Sequence, residues 1–212
     1  VRILNLYAGL GGNRLKWDDV EVTALEMNEE IAAVYQQHNP GDTVLIEDAH
    51  EYLLKNHADF DMVWSSPPCQ SHSRFIRSGR NRKPVYPDMK LYEEILFLKH
   101  NFKGLWVVEN VKPYYKPLIE PLELGRHCFW SNFTISPCHI PNFGSFITTG
   151  TVAGSEDLKD WVDIHYEGNI YYDGNHDPCQ VLRNCIHPDV GNHVLGCAKE
   201  EIRNNQINGE GD

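Results

Sequence analysis

Apolar residues in this chain fall into short continuous runs that alternate with stretches of helical spacing. Arg2–Tyr7, Val20–Leu25, Thr43–Ile46, Met62–Ser65 and Leu105–Val108 read as strands, apolar enough to be buried on both faces. Between them, Asn28 caps a helix that runs to about Gln37, with Ile31, Ala32, Val34 and Tyr35 on its apolar side. Asn39-Pro40-Gly41 stops it. Ala49–His57 reads as a short helix. Met89–Phe102 reads as a longer one, and its Leu91, Ile95, Leu98, Phe102 stripe is core rather than a cofactor box. Strand-helix alternation of this kind predicts an α/β fold, a Rossmann-like, mostly parallel sheet with helices on both faces.

Beyond Pro117 the pattern changes. Phe129–Ile135 reads as a further strand. Residues 136–180 are rich in Gly, Pro, Asn, Asp and aromatics, with little helical periodicity, and read as hairpins and loops. Hydrophobic pattern returns over Gln180–Cys197, and from about Arg203 a polar tail is expected to be disordered. The expected organisation is a sheet domain over 1–133, a small insert over 134–180, a return segment over 181–202 that packs on the sheet domain, and a tail over 203–212. No internal repeat is present.

Composition narrows the class. At 212 residues the chain is one domain, or one with a small appendage. No apolar run approaches the ~18 residues of a membrane span. The chain opens at Val1, already inside a strand pattern and without a signal-peptide pattern, so a starting Met or a few residues are expected to precede it. The six cysteines are irregularly spaced and contain no Cys-x-x-Cys pair, which argues against a disulfide scaffold and against structural zinc. A metal site assembled from Cys128, Cys138, His139, Cys179, Cys185 and Cys197 is the alternative. A reducing, cytoplasmic setting is the default.

Net charge is −11, which taken whole speaks against nucleic acid. Its distribution says more. Residues 1–61 carry 12 acidic and 4 basic groups, residues 62–126 carry 6 and 11, and residues 127–212 carry 12 and 4. The middle third alone is net positive. Arg74, Arg77, Arg80, Arg82 and Lys83 fall in one acid-free stretch of a long polar loop, Ser71–Pro87. That loop reads as a solvated surface or as a phosphate-contacting element.

Candidate chemistry gathers at strand ends. Met62–Ser65 stops at Pro67-Pro68, because proline cannot continue a ladder, and Cys69 stands just beyond. In open α/β sheets the carboxyl ends of strands are where chemistry sits, so a thiol held there by a stiff turn is placed like a nucleophile. The tripeptide also reads as a loop with a small apolar residue. Ala8-Gly9-Leu10-Gly11-Gly12 follows the first strand and permits close backbone approach by a ligand. Glu26 ends the second strand, as an acid for ribose hydroxyls or as a surface carboxylate. Glu109 ends the fifth, where a buried carboxylate needs a purpose.

Taken in order, these stretches resemble the DNA cytosine-5 methyltransferases. Leu4–Gly12 is similar to the family's first motif, with Tyr7 where Phe is commoner. Glu26 and Asp48 match its acids after strands two and three. Ser66–Ser71 resembles the Pro-Cys motif, Val108–Val111 the Glu-Asn-Val motif, and Gly191-Asn192 the closing Gly-Asn motif. The resemblance covers roughly residues 1–135 and implies S-adenosylmethionine as cofactor, with S-adenosylhomocysteine as product. It implies that 1–133 is the catalytic, cofactor-binding domain and 134–180 a target-recognition-like insert. Cys69 becomes the thiolate that adds to carbon 6 of a flipped-out cytosine, Glu109 the group that holds the ring nitrogen and exocyclic amine, and Arg126 a contact to the carbonyl. Cofactor contacts fall to Tyr7, Ala8, Gly9, Gly11 and Gly12, to Glu26 and Met27, and to Asp48, Ala49, Pro67 and Asn192. Ser71, Arg74, Arg77, Arg80, Arg82 and Lys83 are the implied nucleic-acid contacts.

The chain also departs from the family pattern. The family's Gln-x-Arg-x-Arg motif has as its nearest match Leu124–Phe129, with Arg126 its one arginine. The insert that should read DNA sequence is short and acidic. These departures suggest low sequence selectivity, a separate specificity partner, or single-stranded or RNA substrates, and a compact phage-type or orphan enzyme over a restriction-modification one. The first expectation is therefore a DNA cytosine-5 methyltransferase acting on cytosine-containing DNA, without metal or membrane. The rivals are the same chemistry on RNA and a catalytically silent module that binds DNA or cofactor.

Overall fold

The computed structural model describes residues 1–73, 86–141, 147–148, 151–152, 154–172 and 177–209. Its centre is a seven-stranded sheet in the order β3-β2-β1-β4-β5-β7-β6. Strands β1 (Arg2–Leu6), β2 (Glu21–Leu25), β3 (Thr43–Leu45), β4 (Met62–Ser65) and β5 (Leu105–Val111) run parallel. Strand β7 (His127–Ser131) returns antiparallel beside β5, and β6 (Leu122–Leu124) closes the edge. The expected α/β, mostly parallel architecture is the one observed.

Alternation along each strand builds two cores. Leu4, Leu6, Val63, Trp106, Val108 and Trp130 point to one face, under α2 (Ala49–Asn56) and α3 (Lys90–Asn101). Ile3, Met62, Trp64, Val107 and Phe129 point to the other, where α6 (Pro188–Gly209) lays down Val190, Val194, Leu195 and Ala198. The crossover from β1 to β2 has no regular helix; residues 8–19 are mostly turns. The far end of the chain covers that face instead. Trp17 packs on Trp64 at 5.5 Å between ring centroids, and its indole N–H donates to Gly191 O at 3.1 Å. A Cβ on Gly191 would lie 2.1 Å from Asn13 O, so glycine is what lets α6 approach.

Helix starts follow local rules. Asn28 Oδ1 accepts from Ile31 N at 3.0 Å and caps α1 (Glu29–His38), with Glu29 and Glu30 in the positively polarised first turn. Asp48 Oδ1 does the same for α2, accepting from Glu51 N at 2.8 Å.

Several expectations change. The further strand is β7, at His127–Ser131 rather than Phe129–Ile135. Phe133 and Ile135 are buried beyond the ladder, so their apolar character records burial and not pairing. Strand β6 was not anticipated. The 134–180 segment holds a short hairpin, β8 (Ile147–Thr148) with β9 (Thr151–Val152), but also a helix, α4 (Ser155–Val162). Leu158 and Val162 of α4 pack with Val181 and Leu182 of α5 (Cys179–Arg183) against Ile31 and Val34 of α1. The spacing of Leu158 and Val162 was its one signal. The tail expected to be disordered from 203 is helical to Gly209. A helix anchored by a buried stripe over 190–198 propagates through polar residues at little further cost.

Candidate active site

Because β1 to β5 are parallel, their carboxyl ends share one edge of the sheet, and a cavity of about 410 Å3 opens there. Its β1–β3 end is built from backbone and carboxylates. The chain leaves β1 through Tyr7 at φ 55° and Gly9 at φ 54°. This turn aims Gly9 N at Glu26 Oε2, 3.0 Å away, while Asn28 N donates to Glu26 Oε1 at 2.9 Å. Burial raises the Glu26 carboxyl above its usual range, and these N–H groups partly offset that. A Cβ on Gly9 would meet nothing within 4 Å, which leaves room over the loop. Gly12 differs: its Cβ would lie 2.4 Å from Ile186 O, so it lets the loop pass beneath the chain after α5. Gly11, with φ 85°, is buried against the Tyr35 ring and does not line the cavity. Met27, exposed, and Asp48 and Ala49 complete this end.

Tyr7 carries a feature that sequence alone did not give. Its hydroxyl donates to Glu94 Oε1 at 2.6 Å, and Glu94 also receives Ser65 Oγ at 2.6 Å and approaches His50 Nδ1 at 3.0 Å. Glu94 is wholly buried on α3, where helical spacing had marked a core face. Burial first, and then Glu94, push the Tyr7 phenol far above its usual value, so it acts as a donor.

The other end of the cavity is built from side chains. β4 stops at Ser65, and the Pro67 carbonyl accepts from Asn110 Nδ2 at 3.0 Å. Cys69 O then accepts from His72 N and Ser73 N, both at 3.0 Å, closing a tight turn. His72 Nδ1 meets the Tyr115 hydroxyl at 2.6 Å, and Tyr114 N donates to His72 O at 3.1 Å, so the base of the loop is fixed to the segment after β5. Burial and the Glu109 carboxylate push the Cys69 thiol up to about 11, and Arg126 partly offsets this. The thiol sits 4.0 Å from Asn184 Oδ1, at the end of α5.

Glu109 lies on β5 with only 5 % of its surface exposed. Its Oε1 is 2.5 Å from His127 Nδ1 on β7, and both residues line the cavity. His127 was not among the residues singled out in the sequence.

The remaining expected residues divide. Ala8 and Pro67 line the cavity. Arg126 feels the charges of Glu109 and Cys69, but its Nη2 donates to Arg183 O and to Cys185 O, the latter at 3.1 Å, and its guanidinium sits 5.8 Å over the Trp161 ring. It ties the β6–β7 turn to α5 and does not line the cavity. Asn192 faces solvent on α6, away from the cavity; packing accounts for its neighbour Gly191. Ser71 Oγ accepts from Asp88 N at 2.9 Å and joins the two ends of the basic stretch. Arg74, Arg77, Arg80, Arg82 and Lys83 lie outside the described residues. All six cysteines are free thiols. Among the described residues no group of His, Cys, Asp and Glu is arranged to hold a metal ion, and no helix is long and apolar enough to cross a membrane.

Known proteins resemble part of the chain. A DNA (cytosine-5)-methyltransferase of Paracentrotus lividus is 23% identical over 150 residues, 60% of this chain; the match spans 9% of that protein's length. Among solved structures, a mutant of Spodoptera frugiperda DNMT2 aligns at 27% identity over 52% of this chain and 35% of that one, with a TM-score of 0.36. A conserved hypothetical protein of Streptococcus pyogenes aligns at 17% identity over 62% of this chain and 85% of that one, with a TM-score of 0.43. A family model for C-5 cytosine-specific DNA methylases matches residues 1–117, the stretch that holds all five parallel strands, the glycine loop, Cys69 and Glu109, and the chain belongs to that family.

Proposed function

We propose that the protein transfers a methyl group from S-adenosylmethionine to carbon 5 of cytosine in DNA. The observation that carries this reading is that one cavity holds both a thiol, Cys69, beside a carboxyl, Glu109, and two further carboxyls, Glu26 and Asp48, at the ends of β2 and β3. The donor set fits the cofactor. Glu26 accepts one backbone N–H on each oxygen and keeps lone pairs for ribose hydroxyls. Asp48 uses one oxygen as a helix cap, and the other serves an adenine amine. The room over Gly9 suits a ligand lying on the loop. When bound, the cofactor supplies an electrophilic methyl group.

The rest of the chemistry belongs to the chain. Carbon 5 of cytosine is a poor nucleophile. Addition of the Cys69 thiolate to carbon 6 makes the ring an enamine, and loss of the carbon 5 proton later expels the thiolate. Glu109 holds the ring nitrogen and exocyclic amine, most tightly as the ring gains negative charge. The target base must leave its stack to reach a cavity of this kind. Before substrate binds, the Cys69 thiol is mostly protonated at neutral pH, because burial and Glu109 oppose the anion. Placing a pyrimidine against Glu109 engages that carboxyl and makes the thiolate more accessible.

A second reading, the same transfer to RNA or to single strands, is favoured by the surface of α4. Glu156, Asp157 and Asp160 are exposed there, with Asp163 just beyond it, and such a run of acids repels a single strand, with its lower charge density, less than it repels a duplex. Transfer of labelled methyl to unmethylated DNA and to RNA, each with the parent and with Cys69→Ser, tests both. Labelled 5-methylcytosine in DNA from the parent, lost in the variant, supports the first reading. Transfer confined to RNA replaces it with the second.

A further inference from the structure

Glu109 does not face the cavity alone. In the β5–β7 ladder Glu109 lies opposite Phe129, and Val111 lies opposite His127, so Glu109 and His127 are diagonal neighbours on the same face. Nδ1 and Oε1 are 2.5 Å apart, a direct contact between the two side chains. His127 is 8% exposed and lines the cavity with Glu109 and Cys69. Among the described residues this is the hydrogen bond recorded for its ring. Phe129 flanks that ring at 6.4 Å between centroids. Arg126 and Cys69 also feel the charge of Glu109.

A carboxyl that must meet both a ring nitrogen and an exocyclic amine has to be held in one plane. It must also carry a proton when the ring nitrogen becomes basic. We propose that His127 is the positioning residue for Glu109, turning its second oxygen to the pyrimidine and lending the proton that Glu109 delivers. The inference rests on the methyl-transfer reading above. As the Cys69 sulfur bonds carbon 6, the π pair between carbons 5 and 6 shifts through carbon 4 to nitrogen 3. With the pair starting as a His127 imidazolium and a Glu109 carboxylate, the Nδ1 proton passes to Glu109 and on to nitrogen 3, leaving His127 a neutral imidazole protonated on Nε2. Once carbon 5 has taken the methyl group and lost its proton, the ring double bond re-forms and expels the Cys69 thiolate, and the nitrogen 3 proton returns through Glu109 to His127.

The test uses the whole chain with His127→Phe, His127→Asn, Glu109→Gln and the double variant His127→Phe with Glu109→Gln. Phenylalanine keeps the ring and removes the donor; asparagine keeps a donor near the Nδ1 position. His127→Phe is expected to lower kcat for methyl transfer by about a hundredfold, the low end of a lost proton-transfer group, with KM for S-adenosylmethionine unchanged. His127→Asn recovers part of that loss, and the double variant is no slower than Glu109→Gln alone, because the pair works as one unit. A second readout is alkylation of Cys69 without substrate, followed by mass spectrometry. His127→Phe slows it by leaving Glu109 uncompensated beside the thiol, and Glu109→Gln added to it cancels the slowing. Multiplying effects in the double variant, or kcat for His127→Phe within twofold of the parent, overturn the role given to His127. A parent that transfers no methyl to DNA or RNA, with the alkylation coupling present, overturns the methyl-transfer reading and leaves the pairing standing.

Discussion

The two ends of the cavity are made differently. At the β1–β3 end, carboxylates meet backbone: Glu26 accepts from Gly9 N and Asn28 N, and Asp48 caps α2. The partners of Glu26 and Asp48 there lie within one turn or one neighbouring strand, while Tyr7, through Glu94, and Gly12, against Ile186, reach further. At the β4–β5–β7 end, side chains meet side chains over long separations, as in Glu109 with His127, Asn110 with Pro67, and Cys69 with Asn184. On the proposed reading, the first end holds the cofactor by fixed dipoles that folding of a few segments sets. The second depends on β7 and α5 returning correctly, and there two carboxyl and thiol groups of opposed needs share one space. Burial and Glu109 raise the thiol, so the proposed transfer requires a substrate that changes the local charge.

Variants at the two ends should therefore separate binding from chemistry. Cys69→Ser should lower methyl transfer by at least about 10^3-fold, since the nucleophile is gone. Calorimetry should find its affinity for S-adenosylmethionine unchanged; a large loss of affinity would mean the two ends are not independent.

Glu109→Gln is expected to act in opposite directions in two assays. Methyl transfer falls by about 10^2–10^3-fold with the loss of a group that acts as the ring gains charge. Cys69 alkylation rises a few-fold, because one of the two influences raising the thiol is removed while burial stays. Slower alkylation in this variant would show that Glu109 does not oppose the thiolate.

Glu26→Ala sharpens the contrast from the other side. Loss of hydrogen bonds to a charged group weakens S-adenosylmethionine binding by about tenfold to a hundredfold, and Cys69 alkylation stays at the parent rate. The pH dependence of that alkylation follows from the thiol at about 11. Below that value the thiolate fraction grows with pH, so the rate should climb roughly tenfold per unit from pH 7 toward 10. A plateau near pH 8 would mean the thiol is not raised in the free protein.

The smallest effect on the cavity is expected from Gly191→Ala. Its Cβ meets Asn13 O, a backbone atom that cannot step aside, so α6 must shift from the sheet. Thermal unfolding should show a loss of about 1–3 kcal/mol, typical of overpacking. Alkylation of Cys69 in the folded variant stays within about twofold of the parent, because α6 at Gly191 meets the cavity lining through Asn13, at the opposite end from Cys69.

The sequence by itself determined the parallel sheet, because continuous apolar strands separated by capped helices have few other ways to bury both faces. It also determined which residues stand at strand ends, and so Tyr7, Gly9, Glu26, Asp48, Cys69 and Glu109 could be named from local signals. Long-range partners have no such signal. Arg126 and His127 are adjacent in the chain, yet the β7 register turns His127 to Glu109 and leaves Arg126 bracing α5. Tyr7 needed Glu94, which helical spacing marked only as part of a core face. The glycines of one short loop were split by packing into Gly9, open to the cavity, and Gly11 and Gly12, pressed on Tyr35 and Ile186. Tertiary structure alone decided these pairings, because which side chains meet across strands depends on register and approach, and those are set by the burial of the whole sheet rather than by any stretch of it.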